Sequence, residues 1–430
     1  MRFRVGVAVA LGLALGTAGS SFAGPGVLDP RFSNDGKVLV NFGAEPRDEI
    51  AHDVLVTGSG KIVLAGSIGR PAASSWALAR LRPNGRLDEA FSGNGKVRKK
   101  VGEVGEARVI KGLGLGRILV GGSSDGAFAV LAFTEDGRLN PAWGGDGIAV
   151  LDITAETDRV LDIRRDGAGW LVAGLAGATS TTTGTPVITR FAEDGTPDAA
   201  FGMRTALGFG GSPLAVKLTG DGGLIVAGRA PDNASFENGY AVARYTAAAL
   251  PDMTFAGGTT VITHFPNDDF PYGEEFSTPR AIVVQPNERI LVGGETFGSG
   301  DYSRPTMARY LRDGNLDSTL DGDGRVIGRK TGYYGGFYDL ALQANGKIVA
   351  GGWDSGEGCC NGLAAYRYLA NGARDPGFGS GGMRVVRFPD VRAAKGYAVA
   401  LSDTRIVLAG ASWSTRSRRL AAIPAIALRR

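Results

Sequence analysis

A short apolar run that ends in glycine recurs seven times along the chain, and no other feature constrains the fold as strongly. The first copy is KIVLAG, from Lys61 to Gly66. Successive copies are 52 to 66 residues apart. A regular period of this length is typical of solenoids, propellers and repeat arrays. The seven closing glycines are Gly66, Gly122, Gly174, Gly228, Gly294, Gly352 and Gly410.

Each repeat contains four strand-like segments, which in the first repeat span 37–42, 50–56, 61–67 and 75–81. The second and third segments are joined by Thr57-Gly58-Ser59-Gly60, a composition that favours the tight turn of a hairpin. The third segment is apolar on both faces, as expected for a strand between two sheets. Four short strands in each of seven repeats predict an all-β fold, a seven-bladed β-propeller of four-stranded repeats.

A second motif follows the fourth segment, and its first full copy is NGRLDEAF at 84–91. Further copies span 25–32, 136–143, 194–201, 249–255, 313–320 and 371–378. Together, the two motifs closely resemble the delta-60 repeat, a family of bacterial secreted and surface repeat proteins. The resemblance covers essentially all of 24–430. It implies a β-propeller-like repeat protein, and it transfers no catalytic residue because the family has no shared catalytic assignment.

An arginine stands eight residues before the motif aspartate in five repeats. One repeat has lost both charges and carries Ala132 and Asn140 instead. Joint loss is what a direct ion pair predicts, because one unpaired buried charge costs about 3–5 kcal/mol. Two independent surface preferences are the alternative. The predicted pairs are Arg80/Asp88, Arg190/Asp198, Arg244/Asp252, Arg309/Asp317 and Arg367/Asp375.

The two ends of the chain carry complementary halves of this pattern. Arg429 has no motif aspartate after it, and Asp29 has no motif arginine before it. A linear solenoid needs a cap at each end, whereas a ring satisfies both ends at once. We therefore expect the N- and C-termini to close a ring, with Arg429 paired with Asp29.

The first residues predict a secretory signal. Arg2 and Arg4 precede an apolar stretch, and Ser21-Phe22-Ala23 fits a cleavage site after Ala23. A secreted or periplasmic protein with one propeller domain over 24–430 is expected. No later apolar stretch approaches the ~20 residues that span a bilayer. Removing the two arginines of the signal leaves 45 basic against 43 acidic residues. This balance argues against a nucleic-acid partner, and a monomer is expected.

The sequence offers little for catalysis or metal binding, and no cofactor is expected. The only histidines, His52 and His264, lie outside any triad-like or zinc-like pattern. Cys359 and Cys360 are the only cysteines, and both a vicinal disulfide and free thiols remain open. A weak calcium candidate lacks the late bidentate acid of a calcium loop, so a turn is favoured. Its residues are Asp321 and Asp323.

Two loops stand out as candidate binding sites because they depart from the repeat. Loops on a rigid scaffold often carry function. Packing of their aromatic residues on a blade edge is the alternative. The longest interval contains an insertion in which acids alternate with aromatic residues, and its candidates are Asp268, Asp269, Tyr272, Glu274 and Glu275. A second aromatic loop contributes Tyr333, Tyr334 and Tyr338.

These features predict a non-enzymatic binding module whose ligand is a protein, a glycan or an envelope component. One alternative is a carbohydrate-active enzyme, a glycosidase or lyase, which needs only two suitably separated carboxylates. Another is a structural or adhesive role at a surface. An enzyme should concentrate acids at one mouth of the central channel. A binding module should show an aromatic or charged rim without paired acids.

Overall fold

The structure, a computed structural model, describes residues 24–43, 48–70, 72–167, 169–179, 183–230, 237–265, 275–298, 302–328, 334–355, 361–389, 391–414 and 420–430. These residues confirm the all-β propeller: they form twenty-nine strands and one short 3-10 helix, Ala256–Gly258. Within this part of the chain, no helix is long and apolar enough to cross a bilayer.

Five sheets are separate from one another, and each is built mainly from consecutive antiparallel strands. The first two contain β6 (Gly105–Gly114), β7 (Arg117–Ser124), β8 (Ala127–Phe133) and β9 (Ile148–Leu151), and β10 (Thr157–Asp166), β11 (Gly169–Ala178), β12 (Thr185–Ala192) and β13 (Met203–Thr205). The third contains β14 (Ser212–Leu218), β15 (Leu224–Arg229), β17 (Tyr240–Tyr245) and β18 (Val261–Thr263), and the fifth contains β23 (Gly335–Leu342), β24 (Ile348–Asp354), β25 (Gly362–Tyr368) and β26 (Met383–Val386). The fourth contains β19 (Glu275–Val284), β20 (Ile290–Gly298), β21 (Tyr302–Tyr310) and β22 (Arg325–Ile327), and the two-residue parallel strand β16 (Glu237–Asn238) joins it.

The remaining strands form a single eight-stranded sheet at the seam of the ring. The predicted seven-bladed division is therefore wrong, because only five sheets of the described residues stand alone as blades. The first and last repeats share one sheet, since β2 and β28 are bridged at Ile50 and Ala411. The strands of this sheet are β1 (Lys37–Val40), β2 (Asp48–Val56), β3 (Ile62–Arg70), β4 (Ala73–Leu81), β5 (Lys96–Lys99), β27 (Val391–Leu401), β28 (Arg405–Ser414) and β29 (Leu420–Arg429).

The two ends of the chain pair with each other. Strand β1 runs antiparallel to β29, with Lys37 opposite Ile426. Before β1, the Gly26 N–H donates to the Arg429 carbonyl over 2.9 Å. The last repeat therefore takes its outer strand from the N-terminal segment.

Seven strands line the centre of the ring: β2, β6, β10, β14, β19, β23 and β27. Each is interrupted by a β-bulge, and in β2 the register shifts between Ala51 and Asp53 so that His52 is the extra residue. Bulges bend a strand and re-aim a side chain, and here all seven side chains line the central cavity. The extra residues are His52, Arg108, Leu161, Leu214, Arg280, Tyr338 and Tyr397.

The closing glycine of the repeat motif packs directly against this bulge. A Cβ on Gly66 would overlap the carbonyl oxygen of Ile50, two residues before the extra residue His52. The same overlap, with the backbone oxygen two residues before the bulge residue, occurs at all seven closing glycines. The glycine recurs because the bulged backbone leaves no room for a side chain there.

The ring has two ends that differ in construction. We call the end with the hairpin turns and the motif loops the motif end. There the loops of neighbouring repeats hydrogen-bond: the Ser92 N–H donates to Asp136 O and the Asp321 N–H to Asn371 O, each over 2.7 Å. The opposite end, where the chain enters each inner strand, is the variable end.

Candidate functional site

The inner strands enclose a central cavity of about 700 Å³. That volume lies within the ~300–1,000 Å³ of small-ligand sites. Its walls change character along the axis. Large charged and aromatic side chains surround it toward the variable end, and aspartates and lysines cross it at mid-depth.

The charged and aromatic side chains toward the variable end form what we call the mouth cluster. They come from six of the seven inner strands, whereas β14 contributes only the apolar Leu214 from its bulge. The cluster is therefore an arc of polar side chains with one apolar gap. Its members are His52, Arg108, Arg159, Arg280, Tyr338, Lys395 and Tyr397.

Two carboxylates neutralise part of this arc. Glu106 lies 2.7 Å from His52 Nε2 and 2.8 Å from Arg108 Nε. Burial raises the pKa of Glu106, but these two partners outweigh it and hold the pKa at about 2. Buried Glu295 accepts a hydrogen bond from Arg280 Nε over 2.8 Å.

Arg159 and Lys395 are not neutralised in this way. Among the described residues, no carboxylate forms an ion pair with either cation, and Arg159 Nε is buried without a hydrogen-bond partner. Burial lowers the pKa of Arg159, and the positive charge of Arg108 lowers it further, against a smaller opposing effect of Glu106. Burial also lowers the pKa of Lys395, against a smaller opposing effect of Glu295. These two cations give the mouth cluster an uncompensated positive charge.

Aromatic rings stand beside the cations. Lys395 Nζ lies 3.8 Å from the ring centroid of Trp353, and the Arg280 guanidinium lies 4.3 Å from that of Tyr338. Tyr338 packs edge-on against Tyr397, with centroids 5.1 Å apart. Rings held this way offer flat apolar faces together with a polar tip.

At mid-depth, three aspartates follow the bulges of β2, β10 and β23. Each carboxylate accepts a backbone N–H from the inner strand of the next repeat, so its first role is structural. The three hydrogen bonds run from Ile110 N–H to Asp53 over 2.8 Å, from Leu218 N–H to Asp162 over 3.0 Å, and from Val399 N–H to Asp339 over 2.8 Å.

The charge states of these aspartates differ. Asp162 lies 3.0 Å from Lys111 Nζ and 3.2 Å from Lys217 Nζ, and these lysines lower its pKa against the effect of burial. Burial raises the pKa of Asp53. Burial, reinforced by the charge of Asp53, raises the pKa of Asp339 to about 7.

At the motif end, all five predicted arginine–aspartate pairs are in direct contact. Their burial varies: the side chains of Arg309 and Asp317 are 3% and 2% exposed, those of Arg190 and Asp198 24% and 22%. The distances from arginine Nε to the carboxylate are 2.8 Å for Arg80–Asp88, 2.7 Å for Arg190–Asp198, 2.9 Å for Arg244–Asp252, 2.6 Å for Arg309–Asp317 and 2.7 Å for Arg367–Asp375.

The pair of Arg244 and Asp252 shares its charges with other polar groups, and each of the other four pairs likewise has a further charged partner. The Asp252 side chain is 14% exposed, twice the 7% of Arg244. Arg244 also reaches Asp221, 3.3 Å away and 62% exposed, and Asp252 accepts hydrogen bonds from the Thr254 N–H and hydroxyl over 2.9 and 2.7 Å. Neither charge therefore depends on the other alone.

The repeat that lacks the charges keeps the backbone geometry. The Asn140 N–H donates to the Ala132 carbonyl over 2.9 Å, as the Asp88 N–H donates to the Arg80 carbonyl over 2.8 Å. The backbone of the motif loop therefore forms without the ion pair.

The pairing at the seam differs from the expected one. Arg429 Nε is 4.0 Å from Asp29, whereas Arg405 Nε is 2.7 Å and Arg31 Nε 3.0 Å away. Burial raises the pKa of Asp29, but hydrogen bonds from Arg31 and Arg405 outweigh it and bring the pKa to about 2. Arg405 opens the apolar run of its repeat, as Lys61 does in the first repeat.

Most of the predicted loop candidates lie outside the described residues. Glu275 is the first residue of β19 and pairs with Gly298. Tyr334 stacks on Trp353 with centroids 6.2 Å apart. The structure thus brings Tyr334 and Tyr338 together at the mouth cluster, through Trp353 and Lys395. Outside the described residues are Asp268, Asp269, Tyr272, Glu274 and Tyr333, together with Cys359, Cys360 and the signal at 1–23.

The calcium candidates lie at the motif end. Asp323 accepts hydrogen bonds from the backbone N–H and the Nε of Arg325, each over 2.9 Å. Desolvation, and then the nearby charge of Asp323, raises the pKa of Asp321. In the described part of the chain, no three residues among His, Cys, Asp and Glu group as a metal site would require.

The sequence contains a signal for the mouth cluster that motif searching misses. The bulge residues stand 13 or 14 residues before the closing glycine of each repeat, as His52 does before Gly66. They differ in type from repeat to repeat, so comparison of the repeats treats the position as variable. Only the geometry shows that these positions converge on one cavity.

Comparison with known proteins agrees with the fold. Residues 57–91, 285–320 and 343–378 match a family model described as a β-propeller domain of unknown function, DUF5122. No curated protein shows significant similarity to the sequence.

Among solved structures, the polysaccharide lyase Uly1 has a TM-score of 0.54 at 10% identity, over 88% of this chain and 89% of that one. A PL25 ulvan lyase bound to -[GlcA(1-4)Rha3S]- has a TM-score of 0.46 at 11% identity, over 90% and 94%. The β-propeller domain of the Trilobed protease from Pyrococcus furiosus has 0.44 at 8%, again over 90% and 94%. The first likeness concerns the fold alone, and the other two are too weak to argue from. Fold and family match agree that this chain is a repeat protein of the β-propeller type.

Proposed function

We propose that this protein is a secreted or periplasmic, non-enzymatic binding module whose ligand binds at the mouth cluster. The N-terminal pattern of Arg2, Arg4 and Ala23 supports export. The paired motifs support a place in the delta-60 repeat family within the broader β-propeller class.

One observation carries the proposal: Arg159 and Lys395 are partly buried cations that have no carboxylate partner among the described residues. Arg159 lines the cavity of about 700 Å³, and Lys395 Nζ lies 6.0 Å from the ring centroid of Tyr338 in its wall. A buried charge without a partner is costly, and a ligand of opposite charge removes that cost.

The carboxylates of the cavity are by contrast engaged. Asp53, Asp162 and Asp339 each accept backbone N–H groups of a neighbouring repeat. Glu106 and Glu295 are held by cations of the mouth cluster itself. Glu295 Oε2 has no hydrogen-bond partner among the described residues, but the carboxylate is paired with Arg280, so the net charge left at this end of the cavity is positive.

The loops singled out in the sequence are consistent with this site. Strand β18 ends at Thr263 and β19 begins at Glu275, both at the variable end, so the insertion is joined to the fold at that end. Tyr334 and Tyr338 contact the cluster directly or through one ring. We propose that both loops contribute ligand contacts around the mouth.

A second candidate function is a carboxylate-based carbohydrate-active enzyme. The observation that favours it is Asp339, whose pKa of about 7 suits a general acid. Asp53 lies near enough to raise that pKa. Against it stands the engagement of both Asp339 oxygens by backbone N–H groups of Leu340 and Val399, each over 2.8 Å.

The test uses the purified mature protein on an oligosaccharide array and on envelope extract. Arg159→Gln is compared with Arg138→Gln, which removes the same charge from a side chain 83% exposed at the motif end. Binding that is lost only in Arg159→Gln, with unchanged melting temperature, supports the site. Bound oligosaccharide is then recovered after long incubation, and its mass is determined by mass spectrometry. Intact ligand supports a binding module; cleavage that Asp339→Asn abolishes establishes the enzyme instead.

A further inference from the structure

We propose that the ligand of the mouth cluster is an acidic oligosaccharide, bound through at least two of its acidic groups. This inference rests on the proposed function and adds the chemical class of the ligand. It follows from the sign of the charge, from the placement of the cations around the ring, and from the aromatic faces beside Lys395.

The sign of the charge selects an anion. Arg108 is neutralised by Glu106 and Arg280 by Glu295. Arg159 and Lys395 remain without a carboxylate partner in the described chain. A carboxylate or sulfate hydrogen-bonded to a partly buried guanidinium makes a charge-assisted contact, which is stronger than a neutral one.

The positions of these two cations select a ligand with more than one acidic group. Lys395 belongs to β27 and Arg159 to β10, and β2 and β6 lie between them in the ring. His52 and Arg108 occupy that interval at the bulges of β2 and β6. A single small anion contacts one end of this arc, whereas a chain with repeated acidic groups follows it.

The aromatic side chains select sugar rings over a peptide. Tyr338 and Tyr397 stand at the cavity wall, and Trp353 lies against Lys395. Flat apolar faces therefore alternate with charge along this part of the arc. Acidic sugars combine a charged substituent with the apolar face of a pyranose ring, and so match both features within one unit.

The depth of the cavity sets a limit on entry. Asp162 with Lys111 and Lys217 forms a charged layer across the middle of the ring. Both lysines are already paired with Asp162, so an anion that entered to this depth would compete with that carboxylate. The oligosaccharide accordingly binds at the variable end, and its chain continues toward the surrounding loops instead of through the ring.

The experiment titrates the mature protein with tetragalacturonate and with its fully methyl-esterified form, which keeps the sugar and removes the charge. Dextran oligosaccharides with and without sulfate distinguish sulfate from carboxylate. Galacturonic acid tests the need for several acidic groups, and tetraglutamate tests a peptide. Calorimetry is run at low and high salt, because screening weakens exposed charge contacts.

The expected result is binding of at least one acidic oligosaccharide, about tenfold or more tighter than its neutral form and than the monosaccharide. Arg159→Gln and Lys395→Gln each weaken it about tenfold, Arg159→Lys restores part of the affinity, and Arg138→Gln leaves it unchanged. Thermal melting of every variant controls for folding.

Two groups of results overturn the inference. Equal affinity for the methyl ester, equal affinity for tetraglutamate, or binding of neutral glycans alone shows that the ligand class is wrong. If those ligands still depend on Arg159, the proposed function stands without the acidic glycan. If neither Arg159→Gln nor Lys395→Gln changes the affinity for any ligand that binds, the proposed site is wrong as well.

Discussion

The two ends of the ring use charge in opposite ways. At the motif end, Arg309 and Asp317 are 3% and 2% exposed and form a direct ion pair, with Arg289 also 3.2 Å from Asp317. At the variable end, Arg159 and Lys395 are partly buried without a carboxylate partner among the described residues. Charge that is balanced within the chain stabilises the fold, whereas charge left unbalanced beside a cavity is available to a ligand.

This difference follows from how the repeat is built. The motif loops hydrogen-bond through their backbones from one repeat to the next, so their backbone geometry is the same around the ring. The bulge residues face a cavity, so they are free to differ. The closing glycine is shared because it permits the bulge, but it does not determine which side chain the bulge presents.

The largest expected loss of folding stability comes from disrupting a buried ion pair at the motif end. Arg309→Ala removes the buried partner of Asp317 and leaves it with Arg289, 3.2 Å away and 33% exposed, so we expect a loss toward the lower end of the about 3–5 kcal/mol that breaking a buried pair typically costs. The matched variant is Arg190→Ala, whose pair is 24% and 22% exposed and should cost only about 0–1 kcal/mol. Urea unfolding measures both. Similar losses for the two variants would show that burial does not set the value of these pairs.

A smaller loss of folding stability is expected from a substitution of the closing glycine that packs against a bulge. Gly352→Ala places a Cβ on the carbonyl oxygen of Gly336 and should cost about 1–3 kcal/mol, as overpacking typically does. Gly58→Ala is the control, since nothing lies within 4 Å of its added Cβ. Ligand affinity should fall with Gly352→Ala as well, because Tyr338 loses its position. If Gly352→Ala were as stable as Gly58→Ala, the bulge would not require a glycine at this position.

A subtler expectation concerns pH, and it has opposite signs in the two regions. Asp29 has its pKa lowered to about 2, so its contribution is complete above its unfolded pKa near 3.8 and disappears as the pH falls toward 2. Asp339 has its pKa raised to about 7. The folded protein then holds a proton that the unfolded chain has released between pH ~4 and ~7, and stability falls as the pH rises through this window.

The comparison is made with Asp29→Asn and Asp339→Asn by chemical denaturation across this range. The cost of Asp29→Asn should shrink as the pH falls from about 4 toward 2. The cost of Asp339→Asn should be greatest near pH ~4 and smaller above pH ~7. A pH-independent cost of Asp339→Asn would mean that this carboxyl is ionised throughout.

The sequence predicts the ion pairs of the motif end better than the residues that line the central cavity. The Arg80/Asp88 type of pair is visible because both charges disappear together at Ala132 and Asn140. The same motif is split between the two ends of the chain, with Asp29 near one and Arg429 near the other, and this predicts that the termini meet. The main partner of Asp29 escapes this reasoning, because Arg405 lies 376 residues away and belongs to the other motif.

The limits of pairwise matching are also visible at Asp252. Its spacing from Arg244 predicts one partner, but in the fold Asp252 accepts from Thr254 and Arg244 also reaches Asp221. Sequence spacing identifies which charges meet. It does not state how deeply they are buried or how many partners share them, because both depend on packing between neighbouring loops.

The cavity and the sheet count are harder to predict for physical reasons. The bulge residues of β6 and β10 are Arg108 and Leu161, which share no chemistry that marks them in the sequence. Such residues are brought together only by closure of the ring. The sequence contains seven repeats, but the single bridge between Ile50 and Ala411 merges the first and last into one sheet. Pairing across a seam depends on how the ring closes, which a repeat count does not contain.

The most direct test of the division between the two ends is hydrogen–deuterium exchange of the mature protein with and without a saturating acidic oligosaccharide, tetragalacturonate or sulfated dextran. We expect slower exchange in the inner-strand segments 50–54, 106–111, 157–162, 278–282, 336–340 and 394–399 when the oligosaccharide is bound. We expect no change in the motif loops, such as 84–95 and 313–324. Protection confined to the motif loops, with none in the inner strands, would contradict the assignment of ligand binding to the variable end.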